Sequence, residues 1–101
     1  MLHMRLTAHE IEAIRQAALD VFGARATVRV FGSRAQDHLK GGDLDLHLEV
    51  EPGQASLGNE MRFRNLIERP LDELKVDVVL HERGRPIGPI DRIAIRDGVV
   101  L

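Results

Sequence analysis

The chain has 101 residues, 44% of them hydrophobic and 30% charged, which suits one globular domain and one core. Aromatics are limited to Phe22, Phe31 and Phe63, so the core must be aliphatic, and no Tyr or Trp is present as a stacking platform for single-stranded nucleic acid. A net charge of −2 gives no global drive toward nucleic acid or an anionic membrane, and the absence of cysteine excludes disulfides, thiolate zinc sites and cysteine nucleophiles.

Thr7 opens the first predicted element. Thr7 and Glu10 have the spacing of a capping box, in which each side chain satisfies a free backbone N–H of the other. Ile11, Ile14, Ala18, Val21 and Phe22 then recur at helical spacing, and Gly23 is a natural stop. Ala26 to Phe31 is alternating and rich in β-branched residues, so it reads as a strand. Gly32-Ser33 breaks it, and Ser33 can cap a short helical turn reaching about His38.

Lys40-Gly41-Gly42 reads as a turn. From Asp43 to Val50 the alternation is strict: Asp43, Asp45, His47 and Glu49 on one face, Leu44, Leu46, Leu48 and Val50 on the other. Pro52-Gly53 ends that strand. Residues 56–69 read as a helix carrying Leu57, Met61, Leu66 and Ile67, with Pro70 against continuation. Lys75 to Leu80 is a third strand. Gly84, Pro86, Gly88 and Pro89 mark a loop, a short helix follows from Ile90 to Arg96, and the tail Val99-Val100-Leu101 packs as an edge strand or contact. There is no internal repeat, and residues 1–101 read as one domain. The N-terminal stretch has no signal-peptide apolar region, and no apolar run has the roughly 20 residues of a membrane span.

Each strand has an apolar and a polar face, unlike the continuous apolar runs of a fully buried parallel sheet. The expected fold is therefore α/β: a short mixed sheet with helices on one face and a polar face left open. The unusual residues lie on that face. Asp43 and Asp45 point the same way, roughly 6–7 Å apart. Their repulsion would be resolved by a divalent cation, and Mg²⁺ favours a few carboxylates together with phosphate oxygens. Asp77 lies among Val76, Val78 and Val79, where an acid is disfavoured by strand propensity. If that strand lies beside Asp43–Val50, three carboxylates converge and can hold the paired ions of a phosphoryl-transfer site. Taken alone, Asp-x-Asp on a strand is as often a pair of solvated surface acids. Gly32-Ser33 adds free N–H groups and a hydroxyl suited to phosphate, although an ordinary strand-to-helix turn has the same look.

Other signals are weaker. His3, His9, His38, His47 and His81 show no compact zinc spacing. His47 shares the acid face, and an exposed strand histidine is its simplest reading. Asp43-x-Asp45-x-His47 is not a calcium loop, because Leu48 stands where that loop needs glycine. Lys40 can contact phosphate or simply be an exposed turn lysine. Arg62, Arg64 and Arg69 read as the solvated face of a helix.

Val30-Phe31-Gly32-Ser33-Arg34, Gly42-Asp43-Leu44-Asp45-Leu46 and Val76-Asp77-Val78-Val79 together resemble the nucleotidyltransferase superfamily related to DNA polymerase β, in particular its minimal stand-alone (MNT) domains. Nine residues separate Ser33 from Asp43, as that pattern requires, and the resemblance spans about residues 25–80. It departs at Gln36-Asp37, where members paired with HEPN-type toxins commonly read Arg-Gly. The resemblance implies that Asp43, Asp45 and Asp77 hold two Mg²⁺ ions and the triphosphate, and that Gly32 and Ser33 bind phosphates with Arg34 nearby. It implies transfer of a nucleoside monophosphate, AMP from ATP being the expected case, to an acceptor hydroxyl, plausibly on a partner protein, in the cytoplasm. Nothing in the sequence reads the base. The alternative is an antitoxin-type binding module that masks a HEPN-like helical partner, with or without catalysis. The polar face would be completed by a partner or a second copy. Self-modification would be confined to Thr7, Thr27, Ser33 and Ser56.

Overall fold

The computed structural model describes residues 6–32, 43–72 and 74–101, and for Asp43 the backbone. The turn at Ser33, together with Arg34 and Lys40, lies outside the described residues.

Helix α1 (Ala8–Phe22) begins with the predicted capping box. The Glu10 N–H donates to Thr7 Oγ1 at 3.0 Å, and the Thr7 N–H donates to Glu10 Oε1 at 2.8 Å. Strands β1 (Thr27–Phe31) and β2 (Asp43–Val50) follow, then α2 (Leu57–Glu68), capped by the Ser56 hydroxyl. Strand β3 (Lys75–Glu82) runs two residues beyond the predicted end. Helix α3 (Pro89–Asp97) starts on a proline, which fits a first-turn position with no intrahelical N–H bond to lose. The tail forms a short edge strand, β4 (Val99–Val100).

The sheet is mixed, in the order β3-β2-β1-β4. β2 pairs antiparallel with β1 and parallel with β3, and β4 pairs antiparallel with β1. Leu44, Leu46, Leu48 and Val50 are fully buried on one face. Val28 and Val30 continue that face, and α1 and α2 cover it with Ile14, Ala17, Ala18, Val21, Phe22, Phe63 and Ile67. Phe22 and Phe63 meet at 5.8 Å between ring centroids, joining the two helices. Burying a leucine this completely contributes about 1.5–3 kcal/mol.

The α/β class and the mixed sheet agree with expectation. One detail differs. The third helix does not join the other two: α3 lies against β1 and reaches His47, on the face expected to be wholly open. The open part of that face is the end carrying the acids, where Asp45 is half-exposed and Asp77 exposed.

Gly98 makes the tight link from α3 into β4. A Cβ there would lie 2.3 Å from the Ala94 carbonyl oxygen and 3.2 Å from Val30 O, both backbone atoms. Gly98→Ala is therefore expected to cost about 1–3 kcal/mol through overpacking, read as a lowered midpoint in urea unfolding. An unchanged midpoint would mean that α3 moves aside freely.

Candidate functional site

The strand registers fix which residues share the polar face. Phe31 on β1 is paired with Asp45 on β2, which is paired with Asp77 on β3. The next row is Arg29, His47 and Val79, and the one after it Thr27, Glu49 and His81. Register partners on adjacent strands lie about 4.8 Å apart with side chains on the same side. Asp45 and Asp77 are thus brought side by side, the condition on which convergence depended. Asp43 is opposite Lys75, one row toward the sheet end.

Gly32 closes β1 beside these acids with φ at +75°, a conformation that favours glycine. A Cβ at this position would fall 2.3 Å from Asp45 Oδ2. The missing side chain therefore makes the space that the Asp45 carboxylate uses. The sequence expects Gly32 to allow close approach of a phosphate; what the structure shows is that its missing side chain accommodates the Asp45 carboxylate.

Two carboxylates on adjacent strands, partly open to water, are a donor set suited to a hard divalent cation. Among the described residues no group of three or more His, Cys, Asp or Glu is placed to hold a metal ion. That group would need Asp43, whose side chain is outside the description. The residues present fit Mg²⁺ as the start of a site.

His47 departs most from its sequence reading. It is fully buried, so it is neither an exposed strand histidine nor within reach of a substrate. Its Nε2 lies 2.7 Å from Asp91 Oδ1 on α3, and Asp91 Oδ2 accepts the Gly88 N–H at 2.9 Å. Burial alone would raise the Asp91 carboxyl. The hydrogen bond from His47, the Gly88 N–H and the electrostatic influence of the nearby His81 and His47 rings outweigh it, and hold Asp91 below its ordinary 3.8. His81, also buried, stacks on His47 at 6.2 Å and places Nε2 3.1 Å from Arg85 O.

Beside this pair, Arg29 and Glu49 form a partly buried ion pair. Burial pushes the Glu49 carboxyl up, but the Arg29 hydrogen bond and the charges of Arg29 and Arg83 bring it below the usual carboxylate value. Arg64, read as a solvated helix residue, donates from Nη1 to Val76 O at 2.9 Å and from Nε to Glu60 at 3.0 Å. It caps a carbonyl on strand β3, the sheet edge.

Compared with known proteins, the chain matches no family model and none of the curated proteins.

Two outcomes follow from this geometry. Gly32→Ala should keep the fold but displace the Asp45 carboxylate, weakening Mn²⁺ binding at least about tenfold by titration calorimetry; unaltered affinity would show that the cradle is not required. Asp91 has a depressed carboxyl in the folded state, so its contribution to stability is complete well above the ordinary carboxylate value and is lost as pH falls through the folded value. Wild-type stability should therefore fall toward that of Asp91→Asn as pH is lowered from about 5 through the ordinary carboxylate range in urea unfolding. A gap that stays constant across the range would contradict the pairing.

Proposed function

We propose that the protein is a Mg²⁺-dependent nucleotidyltransferase of the cytoplasm, moving a nucleoside monophosphate, with ATP as the first donor to test, to an acceptor hydroxyl on a partner protein. The observation that carries this reading is the Asp45–Asp77 pair, with the Asp45 carboxylate accommodated where Gly32 lacks a side chain. The sequence pattern that resembles polymerase-β-like MNT domains supports it independently.

In this reading Asp43, Asp45 and Asp77 hold two Mg²⁺ ions. The ions supply charge neutralisation on the triphosphate and alignment for in-line displacement. Gly32 and Ser33 approach the phosphates through backbone N–H groups, with Arg34 and Lys40 as further phosphate contacts. The acceptor oxygen forms a bond to the α-phosphorus as the bond to the β-phosphate oxygen breaks. Pyrophosphate leaves, and Asp77 would help to activate the acceptor hydroxyl by taking its proton. The described residues include no helix long and apolar enough to cross a membrane.

A second reading, a module that neutralises a HEPN-like helical partner by covering it, draws on one observation. Ile87, Ile90 and Ile93, in and just before α3, are each nearly half exposed. Exposed apolar side chains of that size are a common feature of protein contacts.

The test is incubation with α-labelled nucleoside triphosphates, Mg²⁺ and the product of the neighbouring gene. Label should reach the partner with wild type and fall at least about a thousandfold with Asp45→Asn or Asp77→Asn. No transfer and no triphosphate binding by wild type would end the enzyme reading. Neutralisation of the partner that survives Asp45→Asn would favour the covering module.

A further inference from the structure

Among the polar arrangements on the described polar face that the proposed reaction does not use, the most deeply buried centres on His47. His47 lies two residues beyond Asp45 on β2, on the same face, and is fully buried. Its Nε2 is held by Asp91 from α3 at 2.7 Å. With the N–H on Nε2, the imidazole is fixed in one tautomer and one orientation.

The ring so fixed does not act on substrate, since it has no exposed surface. It meets Phe31 edge-on, with centroids 6.4 Å apart and planes at 79°. Phe31 is itself buried, although it lies on the face opposite the main core. It is the register partner of Asp45 and the residue before Gly32. An unbroken set of contacts therefore runs from Asp91 through His47 and Phe31 to the turn whose missing Cβ accommodates the Asp45 carboxylate.

The surroundings of this chain are rigid for physical reasons. Asp91 is fixed twice, by His47 through Oδ1 and by the Gly88 N–H through Oδ2. Ala94, one turn further along α3, is fully buried and seats the helix on the sheet. On the far side of His47 the His81 ring stacks at 23°. The buried imidazole is thus held by Asp91 at one end and flanked by the His81 ring.

We infer that His47 and Asp91 are positioning residues, a buried pair through which α3 holds the Phe31-Gly32 turn in the shape that Asp45 requires. The consequence for cation binding rests on the proposed function; the hold on the turn does not. Partners of this kind behind a ligand residue commonly set metal affinity over a 10- to 100-fold range. An ordinary structural hydrogen bond would affect stability alone.

The two possibilities separate when the pair is replaced rather than broken. Exchanging both members of a buried polar pair for apolar groups can restore stability, because neither is left unsatisfied. The experiment compares wild type, Asp91→Asn and the double variant His47→Leu with Asp91→Leu. Asp91→Asn keeps an acceptor for His47. Three quantities are measured: the thermal midpoint, amide hydrogen exchange at Gly32 and Asp45, and affinity for Mn²⁺ alone. Should the double variant not fold, Asp91→Ala replaces it, leaving the ring present but unheld.

The expected result is that the apolar variant exchanges at Gly32 and Asp45 at least about tenfold faster and binds Mn²⁺ at least about tenfold more weakly, while Asp91→Asn stays near wild type. Unaltered exchange at those two amides overturns the inference. So does unaltered Mn²⁺ affinity in the variant, if wild type binds the ion. If wild type binds no Mn²⁺, the cation reading falls, and exchange alone decides the positioning role.

Discussion

The strict alternation of β2 is the constraint on which the rest of the structure depends. Leu44, Leu46, Leu48 and Val50 are all fully buried against α1 and α2. A slip of one residue would put Asp45, His47 and Glu49 into that apolar layer and all four aliphatic side chains into the other face. Unpaired charge in such a layer costs several kcal/mol per group, so the register has no close competitor. Once β2 is fixed, the parallel pairing with β3 sets Asp77 beside Asp45, and the antiparallel pairing with β1 sets Phe31 on the other side.

The polar face then divides in two. Toward the start of β2, Asp45 and Asp77 stay in contact with water, which lowers the cost of holding charge. Toward its end, Arg29 with Glu49 and His47 with Asp91 are drawn under or beside α3. Burial disfavours charge at both pairs, and in both the partner wins, since Glu49 and Asp91 are held below the ordinary carboxylate value. The two ends do different work on one sheet. One presents carboxylates to solvent, and the other fixes the helix that borders them.

Much of this was legible in the chain. The capping box at Thr7 and Glu10 uses a three-residue spacing, and the β2 faces follow from period two; both are local and need no knowledge of the rest of the fold. The nearness of Asp45 and Asp77 was conditional on a pairing that sequence alone leaves open. The role of α3 was hidden for a physical reason. Ile90 and Ile93 are the apolar residues of that helix, yet they remain nearly half exposed, while Asp91 and Ala94 are buried. An acid can take that place only because His47, 44 residues earlier, is there to meet it. Neither residue reveals the other until the chain is folded. Ser33, Arg34 and Lys40 lie outside the described residues, and their place in the site rests on the sequence pattern.

The central claim is that the Asp45–Asp77 end of the sheet takes a divalent cation with a nucleoside triphosphate. It is tested most directly by adding Mn²⁺ and ATP to the isotopically labelled protein and mapping paramagnetic broadening of the amide signals. Broadening should be strongest at Gly32, Asp43, Asp45 and Asp77 and fade toward Glu49 and His81. Absent broadening, or broadening centred on the acidic residues Glu49, Glu51 and Glu82 at the other end of the sheet, would contradict it.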